Sequence, residues 1–203
     1  MNETVNKLIN RTYHDQRSDE WLAMRGQMLT ASDVAAVLGV YPYESREDVM
    51  YKKLGFRRHQ STDNTSHGIK YEPEARDVYC AKTGEVVHEI GLVPHPEYPW
   101  LGGSPDGITE SGKLIEIKCP PKRDIKSSPP KYYMPQIQLL MEILDLEECD
   151  FIEYKPPDHG DKYSLNTIKR DREWFKNSLP VFQKFWDELQ VRKHLPLCEI
   201  QDN

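Results

Sequence analysis

Asp106, Glu116 and Lys118 are the residues whose types and spacing could do chemistry. Ser104-Pro105-Asp106-Gly107-Ile108 leads into a short polar turn, Glu110-Ser111-Gly112-Lys113, and Leu114-Ile115-Glu116-Ile117-Lys118-Cys119 leads out of it. Two apolar runs around such a turn predict a β-hairpin. Side chains alternate along a strand, so Glu116 and Lys118 share one face while Ile115 and Ile117 enter the core on the other. Asp106 arrives from the adjoining strand. Two carboxylates and an ammonium at one end of a sheet can hold a divalent cation and orient a water for phosphodiester hydrolysis. Packing alone explains the pattern poorly, because charges that interrupt an apolar run are costly to bury unpaired.

The hairpin needs elements around it. Ser18 to Met24 predicts a short helical turn with Trp21 and Leu22 on its apolar side. Ser32 reads as the N-cap of a helix stopped by Gly39, and Ser45 caps another that Gly55 ends. Arg57 to Ser66 reads as an exposed loop, and His67 to Lys82 as a helix burying Tyr71, Ala75, Val78 and Tyr79. Val86–Ile90 and Leu92–His95 switch to strand-like runs. Tyr132 to Leu144 predicts an amphipathic helix with Tyr133, Ile137, Leu140, Met141 and Leu144 on one stripe. Strands follow over Cys149–Tyr154 and Tyr163–Ile168. A last helix, Trp174–Val191, should be kinked or restarted at Pro180. The expected fold is α/β (α+β): one domain over 1–203, with a central mixed β-sheet flanked by helices and a restriction-endonuclease-like core.

Composition narrows the classes. Hydrophobic residues make up 37% and charged residues 30% of 203 positions, which suits a globular enzyme. No run approaches the roughly 18 apolar residues of a membrane span, and Met1 to Thr12 lacks a signal-peptide core, so the expected location is cytoplasmic or nuclear, not secreted. Cys80, Cys119, Cys149 and Cys198 are scattered, without Cys-x-x-Cys pairs, and read as reduced thiols. The histidines show no metal-ligand pairing, which argues against a zinc hydrolase. Net charge is −6, so a polyanion would need a local basic lining. Lys52, Lys53, Arg57 and Arg58 are the first candidates; Lys122-Arg123 and Lys169-Arg170 with Arg172 are the alternatives.

Ser104-Pro105-Asp106-Gly107 with Glu116-Ile117-Lys118 resembles the P-D…E-x-K nuclease signature in the version carried by the bacteriophage lambda exonuclease and YqaJ-type viral recombinase family. Trp21-Leu22-Ala23-Met24-Arg25-Gly26, Leu29-Thr30-Ala31-Ser32, Gly68-x-x-Tyr71-Glu72 and Tyr133-Met134-Pro135-Gln136-Ile137-Gln138 match in the same order, so the resemblance covers roughly 17–154. It implies that Asp106, Glu116 and the carbonyl of Ile117 hold magnesium or manganese, with Glu72 completing or supporting the site. Lys118 would position or help deprotonate the attacking water and stabilise charge on the phosphorane, and Gln136 would touch the metal-bound water or the scissile region. Arg25, Ser32 and Ser104 would form a 5′-phosphate pocket. The clustered cysteines of iron–sulfur relatives are absent. The implied activity is 5′-to-3′ exonucleolytic digestion of double-stranded DNA ends, leaving 3′ tails for recombination or repair. The implied partners are a single-strand annealing protein and further copies of the chain in a trimeric ring. An endonuclease on the same core and an inactive DNA-end-binding scaffold are the rivals.

Overall fold

The structure is a computed structural model that describes residues 3–56 and 63–195. Arg57, Arg58 and Cys198 lie outside the described residues.

Capping explains the first helices. α1 (Glu3–Ile9) buries Val5 and Leu8. α2 (Asp19–Gly26) starts where the Ser18 side chain accepts from the Trp21 amide, and β1 (Leu29–Thr30) follows. α3 (Val34–Val37) is a single buried turn whose N-cap is Asp33, not Ser32. The predicted cap is displaced by one residue because the Ser32 hydroxyl is engaged elsewhere. α4 (Arg46–Lys53) opens with a capping box between Ser45 and Asp48.

α5 (Asp63–Thr83) begins inside the stretch expected to be loop and runs through Pro73 to Gly84, whose φ of 74° ends it. β2 (Val87–His88) and β3 (Val93–Pro94) are shorter than the predicted strands. Then come β4 (Leu101–Gly103), β5 (Gly107–Thr109) and β6 (Lys113–Lys118). A 3₁₀ turn, Lys131–Tyr133, precedes α6 (Met134–Leu144). β7 (Glu148–Lys155), β8 (Lys162–Lys169) and α7 (Arg172–Lys193) complete the chain. α7 is continuous across Pro180 and does not restart there. Buried side chains on both sides of the proline, Phe175 before it and Phe182, Phe185 and Leu189 after it, hold the helix by tertiary packing.

The main sheet has the order β2-β5-β6-β7-β8; β6 and β7 run parallel and the other neighbours antiparallel. It is the expected central mixed sheet. A second sheet, β1-β4-β3, was not legible in the sequence. α6 lies between them, and it is buried nearly all round rather than along one stripe: Leu139 and Ile143 are covered as well as Ile137, Leu140 and Leu144. Its approach to β4 requires glycine, since a Cβ on Gly103 would meet Leu140 Cδ2 at 2.5 Å.

β6 is covered on both faces. Leu114 joins the larger core with α6, while Ile115 and Ile117 pack with Tyr71, Ala75 and Tyr79 of α5. The Glu116 face is therefore not an open one: Glu116 is fully buried. Among the described residues, no helix is long and apolar enough to cross a membrane.

Candidate active site and its relatives

The β5–β6 pairing, Gly107 opposite Ile115, leaves Asp106 just before the start of β5 and level with Glu116, one residue from Ile117. Asp106 Oδ2 accepts from the Ile117 amide at 2.7 Å. The residue's amide and carbonyl face the same edge of a strand, so the Ile117 carbonyl is turned toward Asp106 as well. Glu116 Oε1 accepts from Lys118 Nζ and, at 2.6 Å, from Gln136 Nε2 at the start of α6. Glu116 Oε2 is buried and has no hydrogen-bond partner among the described residues. The structure thus brings Asp106, Glu116, Ile117, Lys118 and Gln136 together.

Glu72 stands on α5 at the margin of this group. Arg76 Nη2 donates to it at 3.1 Å and Arg17 lies 3.8 Å away. Burial, and then the charge of Asp106, push the Glu72 carboxyl above the usual range, and the same two causes raise Glu116. Lys118 is held firmly protonated: burial opposes its charge, but Glu116 and Asp106 outweigh that penalty.

Among the described residues, no group of three or more His, Cys, Asp or Glu side chains is arranged to hold an ion. The donors available are instead two carboxylates and one backbone carbonyl. That set fits a hard divalent cation. An unpartnered buried oxygen on Glu116 beside mutually repelling carboxylates is the environment a cation would relieve, and oxygen-only donors suit magnesium or manganese better than zinc.

Arg25, Ser32 and Ser104 also meet. Arg25 Nη2 donates to Ser32 Oγ at 2.9 Å, and the Arg25 guanidinium stacks 4.4 Å from the centroid of Trp21. Trp21 Nε1 donates to Ser104 Oγ at 3.0 Å. Trp21, read from the sequence as the apolar side of a helical turn and as part of the family match but given no role, is the link between them. Beneath Ser32, Asp33 was missed by the sequence reading. Its carboxylate accepts from Thr30 Oγ1 at 2.6 Å and pairs with Lys52 at 3.0 Å and Lys53 at 2.9 Å. Burial would raise its pKa, but the two lysines and Thr30 hold it far below the usual carboxylate range. Lys53 also donates to the Arg25 carbonyl at 2.9 Å.

This corrects the expected basic lining. Lys52 and Lys53 are taken up by Asp33, and Lys52 by Glu44 as well, so they brace the fold. Arg170 is likewise surrounded by Glu142, Asp145 and Glu147, and Arg172 pairs with Glu147. Arg123 pairs with the buried Glu153. Nothing in the local sequence announces these pairings, because the partners lie far along the chain.

The family model for the YqaJ-like viral recombinase domain matches residues 20–147. Protein R354 of Acanthamoeba polyphaga mimivirus is 32% identical over 161 residues, covering 70% of this chain and 29% of R354. Protein D345L of African swine fever virus (strain Badajoz 1971 Vero-adapted) is 34% identical over 155 residues, covering 61% of this chain and 44% of D345L. The chain therefore spans less than half the length of these viral relatives. Among solved structures, an alkaline exonuclease, LHK-Exo from Laribacter hongkongensis, superposes with a TM-score of 0.75 at 33% identity over 87% of this chain and 94% of that one. A phage related exonuclease from Haemophilus somnus 129PT, at 18% identity and a TM-score of 0.58 over 93% of each chain, shares the fold. The chain belongs to the YqaJ-like viral recombinase domain family, within the P-D…E-x-K nuclease superfamily and with a lambda-exonuclease-like fold.

Proposed function

We propose that the protein is a metal-dependent deoxyribonuclease that digests one strand of duplex DNA from its 5′ end and leaves a 3′ tail. The observation that carries this is the cluster at the end of β6, where Asp106 accepts from the Ile117 amide, Lys118 and Gln136 both bond Glu116 Oε1, and Glu116 Oε2 stays buried with no hydrogen-bond partner among the described residues. A magnesium or manganese ion held by Asp106, Glu116 and the Ile117 carbonyl would neutralise the scissile phosphate and lower the pKa of the attacking water. The chain's own groups do the rest. Gln136 and Lys118 fix Glu116 in one rotamer through Oε1, which leaves Oε2 available to a cation. Lys118, kept protonated, places positive charge where the phosphorane develops its negative charge. Glu72 supports the site from α5.

Polarity rests on Arg25. Its guanidinium, oriented by Trp21 and Ser32, offers the fork that matches phosphate oxygens, and the Ser32 and Ser104 hydroxyls flank it. Phosphate contacts of this kind carry no sequence information, in keeping with end-dependent and sequence-independent cutting. LHK-Exo, at 30% identity, has been crystallised with dAMP, and a deoxynucleoside monophosphate is the product of stepwise digestion. The partners that follow from this reading are duplex DNA ends, further copies of the chain in a ring, and an annealing protein to receive the tail.

The test is digestion of a linear duplex labelled at one end, with and without magnesium, comparing 5′-phosphate with 5′-hydroxyl ends, beside a covalently closed plasmid. Magnesium-dependent release of mononucleotides from 5′-phosphorylated ends is expected. Nicking of the closed plasmid would instead make the protein an endonuclease, and inertness on both substrates would make it a scaffold.

A further inference from the structure

Four tyrosines from two distant segments meet beside the catalytic cluster. The ring centroids of Tyr41 and Tyr43 are 5.5 Å apart, those of Tyr41 and Tyr132 5.7 Å, and those of Tyr43 and Tyr132 5.9 Å, all edge to face. Tyr132 in turn touches Tyr133 at 4.5 Å. Lys118 Nζ lies 5.2 Å from the Tyr133 centroid, so the cluster begins at the catalytic ammonium. It ends in solvent, because Tyr43 is 73% exposed.

An aromatic ring so exposed contributes little to the core, yet this one is held in place. Edge-to-face contacts with Tyr41 and Tyr132 order its ring while leaving its surface open. Pro42 stiffens the loop that carries it. On the far side of Tyr43, Glu44 bonds Lys52 at 2.9 Å, and Lys52 bonds Asp33, which lies under Ser32. The platform is therefore braced by the same ion pairs that underlie the Arg25–Ser32 contact.

The segment that carries Tyr132 also carries exposed cations in an otherwise acidic chain, with Asp124 among them. Lys122, Lys126 and Lys131 are exposed on the segment between β6 and α6, and Lys131 directly precedes Tyr132. Rigid aromatics beside solvated cations form the combination that binds single-stranded nucleic acid: cations attract the backbone and ring faces accept bases of any sequence.

We propose that Tyr43, ordered by Tyr41 and Tyr132, is a stacking platform for an unpaired nucleobase at the end of the strand being cut. The inference deepens the nuclease reading and rests on it for the identity of the DNA. Continuity with Lys118 selects the cut strand as occupant, since its scissile phosphate must reach that ammonium. Stacking would hold the frayed end open and lower the cost of separating the terminal pairs.

The experiment compares 5′-phosphorylated duplexes whose three terminal nucleotides are unpaired and carry either normal bases or abasic tetrahydrofuran sites. Binding is measured in calcium for the wild type, Tyr43→Ala and Tyr43→Phe. The wild type should prefer base-bearing ends about tenfold, the scale of stacking one base. Tyr43→Ala should lose that preference without change in melting temperature, and Tyr43→Phe should keep it. Equal binding of both ends by the wild type, or an equal loss on both ends in Tyr43→Ala, would overturn the platform. Digestion in magnesium reads the two ideas separately. Cutting without a base preference defeats the platform alone, a base preference without cutting defeats the catalytic reading alone, and absence of DNA binding defeats both.

Discussion

Asp33 and Glu116 are both buried carboxylates, and they are treated in opposite ways. Asp33 is answered completely: Thr30, Lys52 and Lys53 satisfy its oxygens and hold it ionised. Glu116 has one oxygen satisfied by Lys118 and Gln136, one left bare, and Asp106 repelling it from nearby. Asp33 shows a buried carboxylate that holds the fold with its bonding capacity met. Unmet capacity costs stability; Glu116 shares it with Glu153 Oε2, but only at Glu116 does it stand beside Asp106 and Lys118.

Exchanging each acid for its amide should separate the two roles most sharply. Glu116→Gln or Asp106→Asn should abolish magnesium-dependent hydrolysis, because a neutral amide removes much of the charge that retains the cation. The melting temperature of Glu116→Gln should hold or rise, since a buried acid under repulsion is lost. A marked fall in melting temperature would place Glu116 with Asp33 as a structural residue.

Asp33→Asn should do the reverse and lower stability by about 3–5 kcal/mol, the scale for stranding a buried partner charge. Its pH dependence has a definite sign. The folded pKa of Asp33 is depressed, so its contribution is present above the unfolded value of about 3.9 and is lost only as pH falls through the lower folded value. The gap in melting temperature between wild type and Asp33→Asn should therefore persist from pH 7 to pH 5. A gap that closes over that interval would mean the lysine pairs do not hold the charge.

Lys118→Ala should retain cation binding by calorimetry while losing roughly 10²-fold or more in turnover, as expected for a positioned transition-state donor. Arg25→Ala should erase preference for 5′-phosphate over 5′-hydroxyl ends, an effect of about ten- to a hundredfold for charge-assisted hydrogen bonds, with cation affinity unchanged. If the preference survives, the Arg25–Trp21–Ser104 contacts belong with the structural pairs of Asp33.

The smallest expected effect concerns charge on exposed lysines that carry no ion pair among the described residues. Replacing Lys122, Lys126 and Lys131 by alanine should flatten the salt dependence of binding to duplex DNA, by up to about 0.9 in log-log slope for each phosphate that these lysines neutralise. Replacing Lys52 and Lys53 should instead reduce stability, because their charges are already spent on Asp33.

The hairpin that carries Asp106, Glu116 and Lys118 was readable because its signals are local. An apolar alternation broken by Glu116 and Lys118, a Gly-bearing turn and Asp106 in the preceding segment all fall within a few residues, and strand periodicity alone places them on faces. The main sheet, most helices and the family resemblance followed from similarly local patterns. Ser32 was misplaced as a cap because its hydroxyl is engaged by Arg25 and Thr30, while Asp33, which stands at the N-cap position, spends its carboxylate on Thr30 and the lysines of α4 rather than on the helix amides. The roles of Asp33, Trp21, Lys52 and Lys53 were hidden for the same reason, as was the burial of α6 between two sheets. Ion pairs, cation–π contacts and burial on a second face join residues far apart in sequence, and no periodicity records them. The residue types that could do the chemistry were set by the sequence; which charges remain available for it was decided when the chain folded and paired the others away.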